Sequence, residues 1–154
     1  MNVEWINPFI RAANHVLGET VAFEHAKLGQ LQVEDAPYTT QDVTCMLGVS
    51  GVLSGSVLLG MPEGVAEVII ERMVGAPTPV SDPLGESALG EVVNMISGSA
   101  LRFLESAGFT CAITPPVVIR GCGAIITTAA RKRLVVPLHF TEAEMHLAVS
   151  LQES

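Results

Sequence analysis

The sequence predicts an α+β domain in which helices pack over one antiparallel sheet. The predicted elements run in the order helix, two strands, helix, helix, three strands, and helices layered on an antiparallel sheet are the natural packing for that order. Two long helices match each other after a shift of about 80 residues, which indicates a duplicated unit of one helix followed by strands. No glycine-rich phosphate loop follows a strand, so a nucleotide-binding fold has little support.

The first predicted helix begins near the N-terminus. Asn7 and Pro8 resemble a helix cap followed by proline at the first helical position. Apolar residues then recur at helical spacing as far as about Ala26, so one face of this helix is apolar. These residues are Phe9, Ala12, Ala13, Val16 and Phe23.

Two strands and a short helix follow. Residues 43–59 are rich in Val, Leu, Ser and Gly, and Gly51 and Gly55 interrupt the run, which predicts a strand pair with a turn between its members. Pro62 then opens a short helix that ends near Gly75.

The second half of the chain predicts one long helix and three strands. Residues 76–83 carry three prolines and form a loop, and a helix follows over about 84–107, where Gly108 ends it. The predicted strands are 117–120, 134–140 and 145–151.

The 80-residue shift also defines two pseudo-repeats, about 7–75 and 84–151, within a single domain of residues 1–154. The alternative is that any two amphipathic helices can be aligned on their core positions. The matched positions are Asn14 with Asn94, Gly18 with Gly98, Phe23 with Phe103, Val16 with Ile96 and Ala13 with Val93.

The composition favours self-association. Hydrophobic residues make up 49% of the chain, charged residues make up 16%, and the mean hydropathy is +0.46. No run approaches the roughly 20 uninterrupted apolar residues of a membrane span, and the N-terminus lacks the pattern of a signal peptide. We therefore expect a cytoplasmic protein, with no membrane partner, whose surplus apolar surface is buried by subunit association.

The net charge of −8 disfavours nucleic acid as a partner, because Lys and Arg supply most of that affinity. The basic run 131–133 is expected to be a solvated hairpin turn between two strands. The three cysteines lack metal or redox spacing and are expected to be reduced, buried thiols: Cys45, Cys111 and Cys122. The four histidines are scattered, so no metal site is expected.

The long second helix carries a polar stripe opposite its apolar face. At 100° per residue, Ser87, Glu91, Asn94, Gly98 and Glu105 share this stripe, and Glu91 and Asn94 project together from adjacent turns. A glycine inside a helix costs about 1 kcal/mol relative to alanine, so Gly98 suggests room for an approaching surface. The alternative is an ordinary solvated face. The predicted core face comprises Leu89, Val92, Val93, Ile96, Ala100, Phe103 and Leu104.

Spacing alone does not make Glu91 and Asn94 a site, because Glu4 and Asn7 show the same four-residue pattern. The fuller segment, Ser87 followed by Glu91, Asn94 and Gly98, resembles the signature of the CheC/CheX/FliY chemotaxis phosphatases. Length, duplication and element order agree over the whole chain, and a single active helix makes the chain most similar to the CheX type.

In the first pseudo-repeat the corresponding residues are Asn7, Arg11 and Asn14. The asparagine at position 14 is kept, but an arginine stands where the signature has glutamate. Because this reverses the charge, we interpret the first copy as inactive.

The resemblance implies hydrolysis of the aspartyl phosphate of a CheY-type response regulator, in chemotaxis or related two-component signalling. It implies that Asn94 orients a water, that Glu91 pairs with a lysine of the partner, and that Ser87 and Gly98 face the partner. It also implies a homodimer and a Mg²⁺ ion held by the partner, with no cofactor bound by this chain. The alternative is a non-catalytic binding module like those of flagellar switches, although a pure binding surface would not need the asparagine.

Overall fold

The computed structural model describes residues 2–128, 130 and 132–154. In this part of the chain three helices pack over an antiparallel sheet, as the sequence predicts. The helices are α1 (Val3–His15), which continues into a π-helical segment (Val16–Thr20), α2 (Glu63–Val74) and α3 (Pro83–Ser106). The strands are β1 (Lys27–Leu28), β2 (Gln32–Asp35), β3 (Tyr38–Thr39), β4 (Val43–Gly51), β5 (Leu53–Met61), β6 (Cys111–Ile113), β7 (Val117–Arg120), β8 (Ile125–Ile126), β9 (Lys132–His139) and β10 (Glu144–Glu153).

The main sheet is built symmetrically around the antiparallel pair β5 and β10, in which Val57 lies opposite Val149. Strand β4 flanks β5, and β9 flanks β10. The short strands that follow α1, β1 and β2, pair with β9, whereas those that follow α3, β6 and β7, pair with β4. The strands that follow α1 thus extend the half of the sheet formed by β9 and β10, and the strands that follow α3 extend the half formed by β4 and β5. The gene-level duplication stays a prediction.

One apolar core lies between the helices and the sheet. Helices α1 and α3 pack against each other, and Trp5 near the start of α1 meets Phe109 just beyond α3, with ring centroids 5.9 Å apart. The predicted core face of α3 is buried except at Phe103, whose side chain is 54% exposed. Helical periodicity sets the direction of a side chain but not whether another element covers it, and Phe103 is left uncovered.

The predicted start and end of the first helix are wrong. The N-cap is Asn2, whose side-chain oxygen accepts a hydrogen bond from the backbone N–H of Glu4 at 2.9 Å, and Pro8 lies inside α1. Ile6 and Phe9, on either side of the proline, are fully buried, and this packing outweighs the cost of a proline within the helix. Glu4 and Asn7 are therefore both helical, contrary to our expectation.

The helical conformation also ends well before Ala26. Ala22 and His25 adopt positive φ values of 63° and 59°, which are incompatible with a continuing right-handed helix. Phe23 is buried against Phe140 from a non-helical segment, with centroids 5.4 Å apart. The match of Phe23 with Phe103 is therefore not structural, because one ring is buried off the helix and the other is exposed on one.

The predicted strand pair is confirmed as β4 and β5, with the turn at Val52. Gly55 does not interrupt it but lies inside β5, where a Cβ atom would collide with the backbone carbonyl of Ser150 on β10. The short helix, the long helix and the three later strands are confirmed to within about two residues. The five short strands β1, β2, β3, β6 and β8 were not predicted.

The basic run is not a solvated turn, although Arg131 lies outside the described residues. Lys132 and Arg133 belong to β9, because β2 pairs with that end of the strand. Arg133 is 1% exposed, donates from its guanidinium to the carbonyl oxygen of Ala36 and lies over the Tyr38 ring at 5.9 Å.

The cysteine prediction is confirmed only in part. Cys45 is buried, and burial raises the pKa of its thiol to about 12. Cys111 is half-buried, and Cys122 is exposed, contrary to the prediction. All three thiols are free.

Candidate active site

Helix α3 begins immediately before the polar stripe. The Asp82 side chain caps the helix by accepting a hydrogen bond from the backbone N–H of Leu84 at 2.8 Å, and Pro83 occupies the first helical position. Ser87 therefore lies about one turn into the helix, and Glu91 and Asn94 follow on the next two turns. Local sequence signals thus place the whole stripe on a rigid element.

An open groove runs between the N-terminal half of α3 and the segment that contains β7. It brings together three of the four predicted site residues, Ser87, Glu91 and Asn94. Gly98 lies one turn further along α3 and does not line it. The complete lining is Pro83, Glu86, Ser87, Gly90, Glu91, Asn94, Pro116 and Val118.

The predicted polar side chains are accessible and make no hydrogen bond or ion pair within the described part of the fold. Ser87 and Glu91 are exposed and Asn94 is half-buried. Within residues 2–128, 130 and 132–154, none of these three side chains takes part in a hydrogen bond or an ion pair. Since no intramolecular partner holds them, they are free to bind an external one.

The opposite wall of the groove comes from Pro116 and Val118, which sequence analysis missed. A Cβ atom on Gly90 would lie 3.1 Å from the Pro116 ring, so glycine at position 90 lets this wall approach α3 closely. A proline pair and a valine within a short strand carry no sequence signal for a site, because their role depends on pairing between β7 and β4.

Gly98 has no packing reason to be glycine. A Cβ atom there would meet no atom within 4 Å, and the residue is half-buried. On the helix it projects between the directions of Glu91 and Asn94. The fold therefore tolerates a side chain at this position, and the free space lies outside the folded chain.

At the end of the groove Glu86 forms an ion pair with Arg120 of β7. The Arg120 Nε and Glu86 Oε1 atoms are 3.7 Å apart, and both side chains are substantially exposed. Neither residue was singled out from the sequence, because the two are brought together only by the packing of α3 beside β7.

Comparison with known proteins identifies the family. The sequence model of the family described as chemotaxis phosphatase CheX matches residues 43–139, which is well over half of the chain and includes the groove residues. The chain belongs to the CheX family. The predicted family and the predicted class of enzyme, a phosphatase, are therefore confirmed.

Individual CheX proteins resemble the chain over most of its length. The CheY-P phosphatase CheX of Thermotoga maritima is 25% identical over 122 residues, which cover 79% of this chain and 78% of that protein. The crystal structure of the chemotaxis protein CheX from Desulfovibrio desulfuricans is 27% identical, with a TM-score of 0.84 over 97% of this chain and 99% of that one.

A CheX protein from Borrelia burgdorferi, solved as a CheX–CheY–BeF3–Mg²⁺ complex, shares the fold. Its TM-score is 0.78 at 22% identity, and the match covers 99% of this chain and 100% of that one. With the other CheX and CheC-like structures it confirms the predicted fold class.

The first-repeat counterpart of the CheX stripe has a different environment on α1. Asn7 and Arg11 are exposed, and Asn14 is half-buried with its side-chain oxygen buried and without a hydrogen-bond partner. The oxygen of Asn14 is therefore inaccessible to a water that a partner would present. Our interpretation of this copy as inactive stays a prediction.

Two further observations concern the described residues alone. They contain no group of three or more His, Cys, Asp or Glu side chains that could hold a metal ion. They also contain no helix that is both long enough and apolar enough to cross a membrane.

Proposed function

We propose that this CheX-family chain hydrolyses the aspartyl phosphate of a CheY-type response regulator in the groove beside α3. One observation carries the proposal: Glu91 and Asn94 both line an open groove, and neither side chain makes a hydrogen bond or an ion pair within the described chain. The Thermotoga maritima relative, a CheY-P phosphatase, supports this choice of substrate.

Hydrolysis of an aspartyl phosphate requires little chemical activation by the enzyme. A water oxygen bonds to phosphorus while the bond between phosphorus and the aspartyl oxygen breaks, which yields the aspartate carboxylate and inorganic phosphate. The proton released by the water passes to phosphate or solvent. Because the carboxylate is a good leaving group, the main requirement is a water held in line with the breaking bond.

Asn94 is suited to hold that water. A neutral amide is not a strong base, but its oxygen accepts a hydrogen bond from water and its NH₂ group can donate one to a phosphoryl oxygen. Asn94 is half-buried and lines the groove, and its side chain makes no hydrogen bond within the described chain. We assign it the role of orienting the attacking water.

Glu91 is suited to fix the partner in place. Its carboxylate is exposed one turn before Asn94 and is free to pair with a lysine beside the phosphorylated aspartate. Such a contact sets the distance between the partner's phosphoryl group and Asn94. Ser87, in the same groove, is assigned a partner contact, and Gly98 is assigned clearance for the partner surface.

The proposal assigns Mg²⁺ to the partner. The ion prefers carboxylate and phosphate oxygens, and the acidic pocket of a response regulator supplies both. When bound there it neutralises phosphoryl charge, and no residue of this chain is asked to hold it. We also propose that the chain acts in the cytoplasm, where response regulators are phosphorylated, and that it does so as a homodimer.

The deciding experiment measures the decay of a phosphorylated CheY-type receiver domain with and without this protein. We expect the wild-type chain to accelerate decay, and Asn94→Ala to abolish the acceleration while binding persists. Glu91→Lys should instead weaken complex formation, because a lysine then faces a lysine. Acceleration that survives in Asn94→Ala would refute the assigned mechanism.

The same assay separates catalysis from simple binding. A non-catalytic module would bind the phosphorylated receiver and leave its decay rate unchanged, both as wild type and as Asn94→Ala. Binding measured in parallel, with a stable phosphoryl mimic on the receiver, shows whether a lost rate reflects lost docking.

A further inference from the structure

Strand β7, which contributes Val118 to the second wall of the groove, ends at the positively charged residue Arg120. Strand β7 lies at one edge of the main sheet, where it pairs with β4. Alternate residues of a strand share a face, so Arg120 projects to the same side as Val118, which lines the groove. The Arg120 side chain is 51% exposed, and its Nε atom lies 3.7 Å from Glu86 Oε1.

Charge at this groove poses a problem for docking. The chain carries a net charge of −8, and the two ionisable residues that line the groove, Glu86 and Glu91, are both acidic. The substrate is a phosphoryl group in a pocket of carboxylates, so two negative surfaces must come together. Like charges brought into contact slow association and weaken the complex unless a cation lies between them.

Arg120 is placed to supply that cation. The ion pair with Glu86 engages Nε, and the guanidinium group keeps four further N–H donors on its two terminal nitrogens. An exposed ion pair at this separation contributes little to stability, so exchanging part of it for a new partner costs little. Arginine also matches the geometry of phosphoryl and carboxylate oxygens better than lysine does.

We propose that Arg120 is a docking residue that contacts the acidic phosphoryl pocket of the response regulator, and that it exchanges its ion pair with Glu86 for this contact when the partner binds. This inference rests on the proposed function of the groove. Arg120 takes no part in the attack on phosphorus. It lowers the repulsion between the two acidic surfaces, so its effect belongs to the association step.

The test measures the rate of receiver dephosphorylation against the concentration of phosphorylated receiver, at low and high salt. We expect Arg120→Gln to raise KM by roughly three- to tenfold with kcat changed by less than about twofold. Because salt screens the charges of both surfaces, the deficit in kcat/KM of Arg120→Gln relative to the wild type should be smaller at high salt than at low salt. Arg120→Lys should recover part of the loss.

Two matched variants separate docking from other roles. Lys27→Gln makes the same change in net charge on β1, at the opposite edge of the sheet, and should leave KM unchanged. Glu86→Gln removes the intramolecular partner of Arg120 and one acidic group from the groove, so KM should stay the same or fall.

Several results would overturn the proposal. If Glu86→Gln raised KM as much as Arg120→Gln, the pair would be a brace that holds β7 against α3. If Lys27→Gln matched Arg120→Gln, only net charge would matter, and if Arg120→Gln lowered kcat alone, docking would not be its role. Failure of the proposed function has a different signature, since the wild-type chain would then not accelerate decay at all.

Discussion

Replacing Gly98 by alanine should stabilise the folded chain while impairing its activity. Alanine is favoured over glycine inside a helix by about 1 kcal/mol. A Cβ atom at position 98 meets nothing within 4 Å, so no steric cost offsets this gain. For a domain of about 150 residues, 1 kcal/mol corresponds to a rise in Tm of roughly 2–4 °C.

The loss of activity follows from the proposed clearance. Gly98 lies one turn beyond Asn94, about 6 Å along the helix axis, so a partner seated on Asn94 passes directly over it. A methyl group inserted into a close-packed contact costs about 1 kcal/mol or more, which corresponds to roughly a fivefold or greater rise in KM.

The assay combines thermal unfolding of the free protein with receiver dephosphorylation kinetics. Gly64→Ala is the matched control, because Gly64 is an exposed position of α2 with open space around its Cβ. It should not lower the free energy of unfolding and should leave KM and kcat unchanged. If Gly98→Ala kept the wild-type KM and kcat, no partner surface would approach this turn of α3, and our explanation of the glycine would be wrong.

Two further predictions concern stability and assembly. Burial lowers the pKa of His146, whose Nε2 lies 2.6 Å from the Tyr38 hydroxyl, so the unfolded chain binds the extra proton at higher pH than the folded chain does. The free energy of unfolding should therefore fall as the pH drops below about 6.5. Urea titrations should show that His146→Gln removes this pH dependence. The control variant His15→Gln should keep it, because His15 is exposed on α1. The composition predicts self-association and the family resemblance implies a homodimer, so gel filtration or sedimentation should return about twice the 16.2 kDa chain mass, and a clean monomer would contradict this prediction.

The ends of α3 were predictable from the sequence, whereas those of α1 were not. The start and end of α3 were predictable because Asp82, Pro83 and Gly108 are local signals that act within one turn. The start of α1 was not, because Pro8 looks like the first residue of a helix, whereas burial of Ile6 and Phe9 carries the helix back to Val3. A local rule fails where packing from elsewhere in the fold outweighs it.

The sequence by itself determined the fold class and the polar stripe, because helical periodicity and caps act between neighbouring residues. The family followed from the resemblance of the segment on that stripe to a known signature. The groove around Glu91 and Asn94 was decided by the tertiary structure alone. Its second wall requires β7 to pair with β4, and the patterns that predict these two strands do not specify which strands pair with each other. Burial of Arg133 depends in the same way on pairing with β2. Such strand pairings join residues that are far apart in the chain. They are stabilised by packing between these distant residues, which a local sequence pattern does not predict.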